Sequence, residues 1–138
     1  MAEVIWTKEY KVERFREMNK TAKKGQIVFA GSSLMEMFPI EKFVEEDGLP
    51  VTVYNRGIGG FVTAELIANI DVCILDLEPS VLFLNIGTND LSNAEIPIAD
   101  VMKNYGKILD EVKRCVPEVT LYLMAYYPVN YDAAAENM

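Results

Sequence analysis

Histidine is absent from this chain and cysteine nearly so: among 138 residues there is no His, and the two cysteines are Cys73 and Cys115. Lack of imidazole removes the commonest general base for a serine or cysteine nucleophile. It also leaves zinc without its usual ligand clusters, so neither a metal nor another cofactor is expected. Both cysteines fall on apolar helical faces away from other metal-binding side chains, and are expected to be reduced core thiols. Positive charge is short as well, with 13 Lys and Arg against 21 Asp and Glu, a net charge of -8, and Lys23-Lys24 as the densest basic pair. A phosphate backbone is bound by clustered Lys and Arg, so nucleic acid is not an expected partner. No apolar run approaches the roughly 18 residues of a membrane-spanning helix, and Met1 to Arg16 is too charged for a signal peptide. A cytoplasmic protein without a membrane partner is the expectation.

What is present suits one compact domain over residues 1–138, since 51% of the residues are hydrophobic. Short apolar runs rich in β-branched residues read as strands buried on both faces of a parallel sheet: Gln26 to Ala30, Val51 to Tyr54, Val81 to Asn85 and Val119 to Met124. Helical spacing lies between them. One stretch runs from about Lys8 to Thr21, with Tyr10, Val12, Phe15 and Met18 as an imperfect stripe. A second runs from about Ser33 to Glu46 and is interrupted at Pro39. A third follows a cap at Thr63, with Leu66, Ile67, Ile70, Cys73 and Ile74 inward. A fourth runs from about Pro97 to Cys115, with Ile98, Val101, Tyr105, Ile108, Leu109 and Val112 on one face. Strands alternating with helices imply right-handed βαβ units and an α/β fold, with ligands at the carboxyl ends of the strands.

Three glycine-bearing motifs stand at those strand ends: Gly31-Ser32-Ser33, Gly57-Ile58-Gly59-Gly60 and Gly87-Thr88-Asn89-Asp90. Ser33, at a strand-to-helix turn, is a candidate nucleophile whose own N–H, favoured by the helix dipole, can face a developing oxyanion. A serine at such a turn is also an ordinary helix cap. The glycine loop can bring a bare Gly60 N–H to the same place, or be only a tight turn. A dinucleotide fingerprint is disfavoured, because its third glycine would fall at Val62. Asn89 offers a neutral amide donor, although Asn and Asp also build plain turns.

Taken in order, the three motifs resemble those of the SGNH hydrolases, the GDSL-type esterases and lipases. The loop Asn55-Arg56-Gly57-Ile58-Gly59-Gly60 looks most like the branch of platelet-activating-factor acetylhydrolase-type acylhydrolases. The resemblance implies a flavodoxin-like three-layer α/β/α sandwich with a five-stranded parallel sheet. It also implies Ser33 as nucleophile, Gly60 and Asn89 as oxyanion donors, and a small O-acyl or O-acetyl ester as substrate. The sequence departs from the pattern at Ser32, where the family has Asp, and at Phe61, often Asp in this branch. The family's last block, Asp-x-x-His, which supplies the triad's acid and base, is not found. A C-terminally truncated member with about four of the five strands, impaired as an enzyme, is therefore the expectation.

Asp90, Asp132 and Glu136 are the carboxylates available as substitute bases, but a carboxylate near its ordinary pKa of about 4 is weak towards serine. The alternative is a non-catalytic α/β module binding a small ligand or a protein in the same crevice. A phosphoacceptor receiver domain would need acidic residues after the first strand, where this chain has Ala30-Gly31-Ser32. An open edge at the fourth strand would invite pairing with a second copy, so a homo-oligomer is expected.

Overall fold

The computed structural model describes residues 6–128 and 132. Its elements are α1 (Lys8–Asn19), β1 (Ile27–Gly31), α2 (Ser33–Glu36), α3 (Ile40–Glu46), β2 (Val53–Asn55), α4 (Thr63–Ala68) and α5 (Ile70–Cys73). A 3-10 turn (Leu75–Leu77), β3 (Val81–Asn85), α6 (Thr88–Leu91), α7 (Ile98–Cys115) and β4 (Thr120–Leu123) follow. The strands form one parallel sheet in the order β2-β1-β3-β4. This is the flavodoxin-like order, and its switch point lies between β1 and β3, where chains leave in opposite directions and open a crevice.

Both faces of the sheet are covered, which is why its strands are apolar runs and not alternating ones. On one face Val28, Ala30, Leu82 and Leu84 meet α1, α4, α5 and α7 through Val12, Phe15, Leu66, Val72, Cys73, Ile74, Ile108 and Val112. On the other, Phe29 and Val53 meet α2 and α3 through Met35, Ile40 and Val44. Over β3 and β4 this second face is barer: Phe83 stacks on Tyr122 with ring centroids 4.7 Å apart, and Tyr122 is 51% exposed.

Several local expectations are corrected. The helix after the glycine loop divides at Asn69 (φ −122°, ψ 23°), and this break in phase turns Val72 inward while leaving Ile67 and Ile70 half-buried. Thr63 is not its cap: Val62 holds that position, and Thr63 is the first helical residue. Ile98 is exposed at the start of α7, ahead of the turn where that helix meets the sheet, and Tyr10 and Met18 lie exposed at the flanks of α1. Thr88–Leu91, read as a turn, winds into one helical turn. Cys73 is buried, and burial pushes its thiol up to about 12. Cys115, in the last turn of α7, is exposed and not a core residue, its thiol donating to Glu111 Oε1 (3.7 Å).

β4 is paired on one side only among the described residues. Its Thr120 and the following Met124 donate to the Ser80 and Leu84 carbonyls, so the alternate N–H groups of Leu121 and Leu123 face away from the sheet. The stretch 125–128 carries no strand, and Glu136 lies outside the described residues. No helix among the described residues is long and apolar enough to cross a membrane.

Candidate active site

β1 delivers the chain to the crevice through Gly31, and the Ser32 N–H donates to the Asn85 carbonyl at the end of β3 (3.3 Å). Ser32 occupies the cap position of α2, yet its buried side chain makes no capping bond. Ser33 opens the helix, is half-buried, and its N–H donates to no acceptor among the described residues. The ordinary-cap alternative therefore accounts for the position of Ser32 and not for the hydroxyl of either serine.

The second loop is laid alongside the first. The Arg56 N–H donates to the Phe29 carbonyl (2.7 Å) and the Ile58 N–H to the Gly31 carbonyl (3.0 Å), which carries pairing with β1 past the end of β2. Asn55 staples the two loops together. Its Nδ2 donates to the Met35 and Phe38 carbonyls (2.6 and 3.0 Å), and its Oδ1 accepts from the Gly57 N–H (2.9 Å). At Gly59 a Cβ would lie 2.8 Å from Glu36 Oε2, the movable end of a side chain, and 3.8 Å from Ser33 Cβ. The next residue, Gly60, is exposed, and its N–H likewise has no acceptor among the described residues.

The third loop closes on the second. Asn89 Nδ2 donates one hydrogen to the Phe61 carbonyl at 2.9 Å, and its other hydrogen has no acceptor among the described residues. Asp90, only 1% exposed, accepts from the Thr63 N–H (2.9 and 3.2 Å) and from Thr63 Oγ1 (2.6 Å). Asn104 Nδ2, on α7, donates to the same hydroxyl at 3.3 Å. Beyond β4 the Tyr126 hydroxyl donates to the Ile86 carbonyl (3.0 Å), and burial, then Asp90, hold this phenol above its ordinary pKa.

The Ser33 side chain thus stands beside Gly59, Gly60 joins Gly59 to Phe61, and Phe61 is bonded to Asn89, so the three loops follow one another along the strand ends. Asp90 is drawn away from Ser33 into its bonds with Thr63, and Asp132 is exposed. Asn55, Thr63 and Tyr126 were not singled out for the site, because each bonds a partner far along the chain and leaves no periodic signal. Asn85, buried at the end of β3, has neither side-chain amide atom partnered among the described residues. Such a group costs about 1–3 kcal/mol unless a polar neighbour reaches it.

The principal cavities avoid Ser33. One of about 260 Å³, lined in part by Trp6, Arg14 and Phe38, comes near only at Glu36 and Gly57. Among the described residues no three Cys, Asp or Glu side chains converge as a metal would require.

The sequence profile of the GDSL-like lipase/acylhydrolase family matches residues 40–137. The chain belongs to this family. The matched span includes the glycine loop and the Asn89 loop and begins beyond Ser33. Among solved structures, a candidate platelet activating factor protein from Streptococcus pneumonia is 31% identical, with a TM-score of 0.78 over 89% of this chain and 56% of its own. A candidate acylhydrolase from Bacteroides fragilis is 20% identical, with a TM-score of 0.68 over 88% of this chain and 58% of its own. A psychrotrophic esterase from Pseudoalteromonas sp., in a structure inhibited by monoethylphosphonate, is 17% identical, with a TM-score of 0.63 over 76% of this chain and 62% of its own. The last two are likenesses of fold alone. This GDSL-like chain spans under two thirds of the length of each. No curated protein matches it.

Proposed function

We propose that the chain carries the nucleophile and oxyanion half of a serine ester hydrolase for small O-acyl or O-acetyl esters. The observation that carries this reading is the pair of N–H groups, on Ser33 and Gly60, that have no acceptor among the described residues, on loops linked to an Asn89 amide with one hydrogen likewise to spare. In the reaction Ser33 Oγ attacks the acyl carbon and its proton passes to a base. The carbonyl π electrons move to oxygen, where the three donors meet the new charge. On collapse the ester C–O bond breaks and the protonated alcohol leaves, and water then attacks the acyl-serine to release the acid and regenerate Ser33.

With no histidine in the chain, turnover rests on the oxyanion donors and on water as base, and is expected to be slow. The expected result with p-nitrophenyl acetate is slow acetylation confined to Ser33, read by peptide mass spectrometry and lost in Ser33→Ala. Asn89→Ala is expected to slow it by about 100- to 1000-fold, the usual cost of one oxyanion donor. Acetylation spread over lysines and indifferent to both substitutions would sink the assignment and favour the non-catalytic binding module.

The outward N–H groups of Leu121 and Leu123 support a second proposal, that β4 pairs with β4 of another copy. Multi-angle light scattering is expected to give a dimer or larger species that dissociates in Leu123→Pro, where one of those outward donors is removed. A monomer at high concentration would rule this out.

A further inference from the structure

We infer that Asp90 and Thr63 are positioning residues that clamp the second and third loops together, and so set the spacing between the Gly60 N–H and the Asn89 amide. The inference rests on reading those two groups as oxyanion donors.

A carboxylate as buried as Asp90 is costly unless its charge is met by donors. A negative charge close to a developing oxyanion also opposes the proposed reaction. Its presence therefore calls for a compensating duty, and the geometry supplies one. Thr63 is the first residue of α4, and its N–H, like that of any first helical residue, has no partner within the helix. Asp90 satisfies that orphan from 27 residues away, with both oxygens, and takes the Thr63 hydroxyl proton as well. The rotor is not free to turn elsewhere, because Thr63 Oγ1 also accepts from Asn104 Nδ2 on α7.

Two residues before Thr63 and one before Asp90, Asn89 Nδ2 holds the Phe61 carbonyl. The two bridges, Phe61 to Asn89 and Thr63 to Asp90, flank Val62 and run in opposite donor directions. Together they stop the Gly60 segment and α6 from sliding past each other. Oxyanion donors act chiefly by being aimed before the charge arrives. A loop pair that could drift by even a fraction of an ångström would lose much of that effect.

The test uses the whole chain, labelled with ¹⁵N, and diethyl phosphate as a tetrahedral anionic probe. In the unaltered protein the Gly60 amide and the Asn89 side-chain amide are expected to shift along one saturation curve. Thr63→Val keeps the N–H bond and removes the hydroxyl, whereas Asp90→Asn keeps the shape and removes the charge. Thr63→Val is expected to weaken the probe's apparent affinity at least tenfold; in Asp90→Asn the lost repulsion offsets part of that weakening, and both variants are expected to uncouple the two resonances. Thr63→Ser should restore both, and Val44→Ala, a change on the other face of the sheet, should alter neither. Unchanged titrations in folded Thr63→Val and Asp90→Asn would overturn the clamp while leaving the oxyanion reading intact. If Asp90→Asn does not fold, the two Thr63 variants decide. Silence of Gly60 and Asn89 in the unaltered protein would instead overturn the oxyanion reading, and the clamp with it.

Discussion

Replacing Gly31 by alanine is expected to destabilise the protein by about 3 kcal/mol or more, from overpacking joined to backbone strain. Gly31 has a φ of +150°, where a side chain is rarely accommodated, and it lies against β3 in register with Asn85. A Cβ there would stand 2.0 Å from the Asn85 carbonyl oxygen and 2.9 Å from Met35 Cγ. Met35 can shift, but the Asn85 carbonyl accepts from the Ser32 N–H and belongs to the central strand pair, so relief would have to part β1 from β3. Since the same turn delivers Ser33, acetylation of Ser33 should fall together with stability. Urea unfolding measures the first effect. Gly106→Ala is the control: nothing lies within 4 Å of a Cβ in the middle of α7, and a gain of up to about 1 kcal/mol is expected there from helix propensity. Equal midpoints for Gly31→Ala and the parent chain would refute the packing argument.

Arg56→Ala is expected to cost about 3–5 kcal/mol, the range for deleting a large buried side chain. Only 1% exposed, Arg56 has its guanidinium over Phe15 and over Tyr54, at 5.0 and 5.2 Å from the ring centroids. Its Nε donates to Asn19 Oδ1 (3.0 Å) and its Nη1 to the Asn55 carbonyl (3.3 Å). These partners are neutral, and burial lowers its pKa from the ordinary guanidinium value. The aromatic faces, which attract a desolvated cation, offset part of that burial. Arg56 therefore fastens α1 to the root of the glycine loop. Arg56→Met tests the balance: it keeps the stem and sheds the desolvation cost, so a loss of only about 1–2 kcal/mol is expected even with Asn19 Oδ1 left unpaired. If methionine proved as harmful as alanine, the charge and not the packing would be the dominant contribution.

Neither expectation was legible from the chain alone. Arg56 reads there as one of a few scattered basic residues in an acidic sequence, and its burial follows from Phe15, on a helix that arrives from far upstream. Asp90 was foreseen as shaping its own turn, whereas its partner Thr63 was assigned to cap a helix. By contrast β3 could be read directly, because Val81 to Leu84 is an unbroken apolar run that ends at Asn85 and is bounded by Pro79-Ser80 and Gly87. Pro39 separated α2 from α3 as its missing N–H requires. The exposed Cys115 shows the limit of periodicity, which assigns a face of a helix and cannot say how far along that face its neighbours reach.

The sequence by itself determined the alternation of strand and helix, the parallel α/β class, and the placing of Ser33, Gly60 and Asn89 just beyond strand ends. Those properties follow from apolar periodicity and from glycine and proline acting locally. Only the tertiary structure decided that Asn55 staples α2, that Arg56 lies between Phe15 and Tyr54, and that Asp90 binds Thr63. Each joins groups from separate elements, and a hydrogen bond or ring contact between elements depends on distances of tenths of an ångström, which are set by how the layers pack.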